Sequence, residues 1–418
     1  MKIYLHTFGC TVNKADSMII KARLKNYSFS KTPEEAEVII INSCAVKLTT
    51  ENKMVSLVEK YKNKGKKVIL AGCLPRVNKK RALSLGVSVV DTNSLDKIKE
   101  AVESKEKKLF FSEEHVNKIK CPHLQDKSVT AVVELSEGCL GNCAFCGTKN
   151  ARGNLTSYPL EDIISYVKDL VSLGKKEILL SSQDNGCYGY DIGTSIYELV
   201  ERITGEVKGD YWIRVGMANP HFVYDRKEEW AKMLNKKEVF KFIHIPIQSG
   251  SNKVLKLMNR VGTAEQYVEL VDYLRKEVPG LAVMTDVIVG FPGEEEEDFE
   301  KTVELIEQTK PDVTNISMFY PRPHTKAASM KKVPTKISKQ RTRKLTMLCE
   351  EIRLESNRKM LGEKVKCLVT DALADGKMHS RSYNYRQVIF PQEASGFVEV
   401  KIEKAEPGYL LGNLLNEK

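Results

Sequence analysis

What the chain lacks narrows its class before any motif is read. No apolar run approaches the ~18 residues that a membrane-spanning helix needs. The longest candidates, such as Val38-Ile39-Ile40-Ile41, have strand length. The opening Lys2-Ile3-Tyr4-Leu5 is too short for the apolar core of a secretory signal, so a soluble, cytoplasmic protein without a membrane partner is expected. There is no internal repeat and no low-complexity tract. With 42% hydrophobic and 29% charged residues the balance is globular, which excludes a disordered tail or a collagen-like rod. Ten cysteines in 418 residues are too few for a disulfide scaffold. In a reducing compartment they remain thiols, suited to metal ligation or catalysis. The length allows two or three domains.

Acid is absent from one region. The chain carries 66 Lys+Arg against 55 Asp+Glu, a net +11. Met330–Lys418 holds 18 of those basic residues and 11 of the acidic ones. Pro321–Lys344 has nine basic residues and no acid. Such a stretch suits phosphates; a solvated helix face is the plainer alternative.

Periodicity divides the chain into three parts. Residues 1–110 alternate apolar runs (Lys2–Thr7, Glu37–Asn42, Lys67–Ala71, Val87–Val90) with amphipathic stretches, which predicts a parallel α/β domain. The Lys- and Glu-rich segment Lys97–Lys127 reads as a linker. Between 125 and 355 six strand–helix units recur, with strands expected at Val129–Leu135, Glu177–Ser182, Tyr211–Val215, Lys241–Pro246, Leu281–Val289 and Val313–Phe319. Six units in ~190 residues fit a partial (βα)6 barrel better than a complete eight-unit one. Thr335–Leu361 has one long helical pattern. After it, Val365–Thr370, Gln387–Phe390 and Gly396–Ile402 alternate at period two, which predicts a small all-β barrel over 358–418.

The cysteines carry the chemistry. Cys139, Cys143 and Cys146 lie on a short loop after the first barrel strand. Three thiolates at that spacing can hold three corners of a 4Fe–4S cluster, and with no fourth Cys in the loop one iron stays open. A zinc loop is the alternative, but zinc wants a fourth ligand at a set spacing. Cys10, Cys44 and Cys73 share no motif, yet each sits just past a predicted strand, where the loops of a parallel sheet converge on a ligand crevice. A second cluster there competes with three buried structural cysteines.

The CxxxCxxC loop resembles the signature of the radical S-adenosylmethionine superfamily. His6-Thr7-Phe8-Gly9-Cys10 with Asn13 and Asp16, Asn42-Ser43-Cys44, Ala71-Gly72-Cys73, Ala151-Arg152-Gly153, His244–Gly250, Thr285–Glu294, Pro321-Arg322-Pro323 and Gly396–Ile402 together resemble the methylthiotransferase family over nearly the whole chain. The chain looks most like its archaeal and eukaryotic-type tRNA branch. His324 and Ser182-Gln183-Asp184 depart from the family pattern.

The resemblance implies a radical S-adenosylmethionine barrel, a C-terminal TRAM module, two 4Fe–4S clusters and bound S-adenosylmethionine. Cys139, Cys143 and Cys146 would hold the cluster that cleaves S-adenosylmethionine to a 5′-deoxyadenosyl radical. Cys10, Cys44 and Cys73 would hold the one that delivers sulfur. The product would be 2-methylthio-N6-threonylcarbamoyladenosine at position 37 of tRNA, made by a monomer drawing electrons from a donor such as ferredoxin or flavodoxin. Gln183, Arg214, Gln248 and Asp286, at or near strand ends, are the candidate cofactor contacts; each is also a candidate for packing or loop support. Lys331, Lys332, Lys336, Lys339, Arg341, Arg343 and Lys344 would bind RNA phosphates. Cys121, Cys187, Cys349 and Cys367 have no ligand spacing and read as leftover thiols. The competing readings are an isopentenyladenosine substrate, an aspartate of a ribosomal protein, and a non-enzymatic iron–sulfur RNA-binding sensor.

Overall fold

A computed structural model describes residues 1–46 and 48–415, so the last three residues of the expected 358–418 module lie outside it. The first unit is a parallel sheet built on β1 (Lys2–Thr7), β2 (Val38–Ser43), β3 (Lys67–Gly72) and β4 (Ser88–Asp91). Two-residue strands Ser28–Phe29 and Leu109–Phe110 extend its edges. Helices cover both faces. Val38 and Ile40 pack with Ile19, Ile20 and Leu24, while Ile39 and Ile41 pack with Met54, Val58 and Tyr61. Burial on both sides is why β2 reads as an unbroken apolar run. The expected linker Lys97–Lys127 is built in instead. It contributes a short helix Ile98–Glu103, the edge strand Leu109–Phe110 and a fully buried Lys118.

The second unit has six parallel strands: β5 (Thr130–Glu134), β6 (Glu177–Ser181), β7 (Trp212–Val215), β8 (Phe242–His244), β9 (Ala282–Val289) and β10 (Val313–Met318). They pair as β7-β6-β5 and β8-β9-β10, and the bridge Ile213–Val239 continues the wall between them. Alternate residues face opposite ways. Ala131, Val133, Ile178, Leu180, Ile213 and Val215 join the core beneath the helices. Val132 and Leu179 point inward and meet Ala15 of the first helix, Thr11–Arg23. The first unit therefore lays a helix along the inner face of the partial barrel.

The third unit is a closed five-stranded barrel of β11 (Lys364–Ala372), β12 (Met378–Ser382), β13 (Gln387–Phe390), β14 (Phe397–Ala405) and β15 (Leu410–Leu414). Strand β12 escapes the sequence pattern because two of its inward residues, Ser380 and Ser382, are small and polar. Leu368, Tyr383, Tyr385 and Phe397 pack onto Trp212, Phe240 and Phe242, at the N-terminal strand ends of the (βα)6 unit. The helix Thr335–Arg358 joins these two units and buries Leu345 and Ile352 in the core of the (βα)6 unit.

Candidate active site between two cysteine triads

Cys44 and Cys73 directly follow β2 and β3, and Cys10 caps the first helix three residues after β1. Two glycines make this convergence possible. Gly9 and Gly72 have φ of +98° and +90°. A Cβ on Gly9 would stand 2.8 Å from Cys44 Sγ, and one on Gly72 2.4 Å from Asn42 Oδ1. Side chains at either place would collide with the loops that carry the thiols. Asn13 ties the loops together by donating to the carbonyls of Phe8 and Ser43, both at 2.8 Å. Its Oδ1 accepts from Arg152 Nη2 at 3.0 Å and from the Cys73 thiol at 3.5 Å. Burial pushes the Cys73 thiol up to about 12 and raises Cys44 as well. These sulfurs keep their protons until a metal displaces them.

Cys139, Cys143 and Cys146 are half-buried on the loop beyond β5. The Gly141 amide donates to Cys139 Sγ (3.2 Å) and Arg260 Nη1 to Cys143 Sγ (3.7 Å). A Cβ on Gly141 would lie 3.3 Å from Cys139 Sγ and 4.0 Å from Cys143 Sγ, so the loop cradles its sulfurs around a glycine. Cys146 lines a cavity of about 400 Å³ with Gln248, Asp286 and Arg322. Val46, two residues past Cys44, lines the same cavity, which therefore touches the loops of both triads.

The donor sets fit two clusters that each leave an iron open. Each site has three thiols. Arg322 adds a cation at the shared cavity: it is buried and pairs through Nη2 with Glu51. Its Nε and Nη1 are buried without a hydrogen-bond partner among the described residues. Orphaned guanidinium donors beside thiols fit an anionic occupant. The sequence contained this residue in Pro321-Arg322-Pro323 but offered no role for it. Cys187, expected to be a leftover thiol, also belongs here. Its Sγ, Cys139 Sγ and an Asp184 carboxylate oxygen lie within 4.8 Å of one another. A hydrogen bond from Cys187 lowers the Cys139 pKa, and burial pushes Asp184 up to about 6.

A buried charge network joins the units behind the triads. Arg152 Nη2 is 2.6 Å from Asp16 Oδ2, Lys118 Nζ is 2.7 Å from Asp16 Oδ1, and both cations also reach Glu137. Desolvation offsets much of the Coulomb gain in such networks; what they hold well is a fixed arrangement. Here that is the orientation of the first helix, carrying Cys10, against the strand that leads to Cys139.

The other sequence-derived candidates separate into groups. Gln248 lines the cavity with φ +76°, held by its N–H to the Asp286 carbonyl (2.8 Å) and its own carbonyl accepting from Ile288 (2.9 Å). Asp286 accepts from Asn315 Nδ2 at 2.8 Å and lies 3.0 Å from His244 Nε2. Gln183 follows β6 with a buried Oε1 that has no partner among the described residues. Arg214 is not at this cavity. It sits level with Leu179, mid-strand in β7, stacked 5.1 Å from the Phe242 ring and 5.0 Å from that of Tyr385. Lys331, Lys332, Lys336, Lys339 and Arg343 are exposed. Lys344 is exposed but binds Glu300. Arg341 is buried, with Glu294 at 2.7 Å and Glu296 at 2.8 Å, so it is not an open phosphate ligand. The acid missing from its own stretch comes from the neighbouring helix Glu296–Thr309 and the turn before it.

The chain matches three family models: the Radical SAM superfamily over residues 133–306, the TRAM domain over 358–415, and Uncharacterized protein family UPF0004 over 2–92. It is 39% identical to a probable threonylcarbamoyladenosine tRNA methylthiotransferase of Pyrococcus horikoshii, covering 99% of this chain and 100% of that one. The corresponding Archaeoglobus fulgidus protein is 40% identical over the full length of both. The human threonylcarbamoyladenosine tRNA methylthiotransferase is 33% identical, covering 100% of this chain and 74% of that one. Among solved structures, the radical S-adenosylmethionine methyltransferase TsrM from Kitasatospora setae, with cobalamin and a 4Fe–4S cluster bound, shares the fold. The TM-score is 0.58 at 12% identity, covering 78% of this chain and 74% of that one.

Proposed function

Because the chain belongs to the threonylcarbamoyladenosine tRNA methylthiotransferase family, we propose that it replaces the C2 hydrogen of N6-threonylcarbamoyladenosine in tRNA with a methylthio group. The observation that carries this reading is the single cavity touching the loops of both cysteine triads. A reaction that needs radical chemistry and sulfur delivery at one carbon needs both sources in one space.

Cys139, Cys143 and Cys146 would hold one 4Fe–4S cluster, and Cys10, Cys44 and Cys73 would hold the other. When bound, these groups supply the electron that splits S-adenosylmethionine and the site that carries the sulfur. The protein's own residues bind, orient and exclude water. Arg322 offers Nε and Nη1, unpartnered among the described residues, to negative charge, and Gln183, Gln248 and Asp286 offer polar atoms to the cofactor's methionine and adenosine parts. The target base leaves its stack to reach the cavity, which is easiest from a single-stranded loop. Lys331, Lys332, Lys336, Lys339 and Arg343 hold the RNA backbone. The enzyme works as a cytoplasmic monomer with a low-potential donor such as ferredoxin or flavodoxin.

Nucleoside mass spectrometry tests the reaction. Reconstituted protein with reductant, S-adenosylmethionine and tRNA bearing N6-threonylcarbamoyladenosine should yield its 2-methylthio derivative. Product only from isopentenyladenosine-containing tRNA would overturn the substrate. Reconstituted protein should carry about eight irons, and about four after Cys139, Cys143 and Cys146 are changed to Ala, with loss of S-adenosylmethionine cleavage. Full iron in that triple variant would refute the ligand set.

A further inference from the structure

A second cavity, of about 360 Å³, lies deeper in the barrel. Met284 of β9 and Val313 of β10 line it, whereas Asp286 and Asn315, the next inward residues of the same strands, line the cavity at the triads. Two residues of strand rise about 7 Å, so the two cavities stack one layer apart along the lumen. All three units build the deeper one: Thr11 from the first helix, Arg214 from β7, Arg353 from the helix Thr335–Arg358, and Arg381 and Arg386 from the C-terminal barrel.

Four guanidinium groups and one carboxylate, Asp312, line this space. Asp312 is already engaged by Arg386 and lies 3.8 Å from Arg275. Arg214 and Arg353 have no ion-pair partner among the described residues; Arg353 donates only to the Gly408 carbonyl, at 3.0 Å. The Nε atoms of Arg214 and Arg386 are buried without partners among the described residues. Burial and the neighbouring Arg386 and Arg381 lower the Arg353 pKa, a sign of uncompensated positive charge. Phe242 and Tyr385 hold the Arg214 guanidinium in place without neutralising it. Half-buried cations in excess favour an anion, and a guanidinium fork matches a carboxylate.

We propose that this arginine-lined floor, with Arg214 and Arg353 as its free donors, binds the carboxylate of the threonylcarbamoyl group and selects that substrate. The inference rests on the proposed function. A base at the upper cavity would extend its N6 substituent downward. That substituent is about as long as two extended residues, ~7 Å, which matches the one-layer step. An isopentenyl group carries no charge and would leave the arginines unpaired, so the same site rejects it.

The test compares holoenzyme on three forms of one tRNA: the natural N6-threonylcarbamoyladenosine, its carboxylate methyl ester, and unmodified adenosine at that position. For the wild type, the ester should lower kcat/KM about 10- to 100-fold, mainly through KM. Arg214→Gln and Arg353→Gln should impose a similar loss on the acid and little further loss on the ester, while Arg214→Lys recovers part of the preference. Equal rates on acid and ester in the wild type would overturn the proposal while leaving the methylthiolation reading intact. An equal loss of affinity by both Gln variants for all three tRNAs would also overturn it and mark a backbone-phosphate site. If the Gln variants fail to fold, the wild-type comparison decides alone. Absence of product from the natural tRNA would refute both readings.

Discussion

Glu134 sits in an environment that a carboxylate does not favour. It faces inward at the end of β5, fully buried, and neither carboxylate oxygen has a hydrogen-bond partner among the described residues. Around it, Asp16 and Glu137 hold the two cations Lys118 and Arg152 closely, and Glu134 reaches only Arg152, at 3.9 Å. Three carboxyl groups face two cations, so one is best neutral, and burial pushes Glu134 up to about 8. Unfolded, it would titrate near ~4.3. Between those values the folded protein holds a proton that the unfolded chain has released, so stability falls as pH rises through this window. Glu134→Gln removes that dependence. The variant should match the wild type near pH 4 and exceed it by a margin that grows with pH, reaching several kcal/mol by pH 8. Thermal melts across the range check this, and a gap that narrows towards pH 8 would reject it. At the same scale, Cys73→Ala should leave S-adenosylmethionine cleavage intact and abolish methylthio product if, as proposed, Cys73 belongs to the sulfur-delivering triad and not to the one that would hold the cleaving cluster. Cleavage assays and nucleoside mass spectrometry on one preparation separate the two steps.

At the scale of an element, the basic helix Thr335–Arg358 serves two purposes that its sequence merges. Arg341 points inward to Glu294, whose side chain is 2% exposed. Arg341→Ala should cost about 3–5 kcal/mol, since it strands a buried carboxylate. Lys336, Lys339 and Arg343 lie on the exposed side. Changing these three to Glu should leave Tm within about 1 °C of the wild type. It should weaken binding of any tRNA and flatten the slope of log affinity against log salt by roughly 2–3. Filter-binding titrations at several salt concentrations measure this; an unchanged slope would make that face a merely solvated one. The TRAM strands show a related limit. β11, β13 and β14 were legible from large apolar residues at period two, but β12 buries serines, and no hydrophobic pattern marks it.

For the whole molecule, the C-terminal barrel packs tightly against the (βα)6 unit and is not a loosely appended handle. Tyr385 stacks within 4.9–5.0 Å of Phe240, Phe242 and the Arg214 guanidinium, and Phe397 lies 4.8 Å from Trp212. Removing residues 362–415 would expose this aromatic floor, so the truncated protein should aggregate or melt earlier rather than only lose tRNA affinity. Tyr385→Ala is the milder version. It should destabilise the chain by about 3 kcal/mol, and calorimetry should show the (βα)6 unit's transition moving with it. A transition that stays in place would mean the two barrels are energetically independent.

Where the chemistry sits along the chain was legible from the residues alone. Apolar runs set the strands, and both cysteine triads stand just beyond strand ends, where parallel topology gathers loops. Those signals are local: each needs only a few neighbouring residues to be read. Which charges are free and which are paired emerges from the packing of distant elements. Arg341 meets an acid 47 positions away, Lys118 one 102 away and Arg322 one 271 away. That packing likewise drew Arg214 down to a floor shared with the C-terminal barrel and set Cys187 against Cys139. The physical reason is that hydrophobic periodicity follows the element a residue belongs to, whereas ion pairing and cavity lining depend on which other elements pack against it.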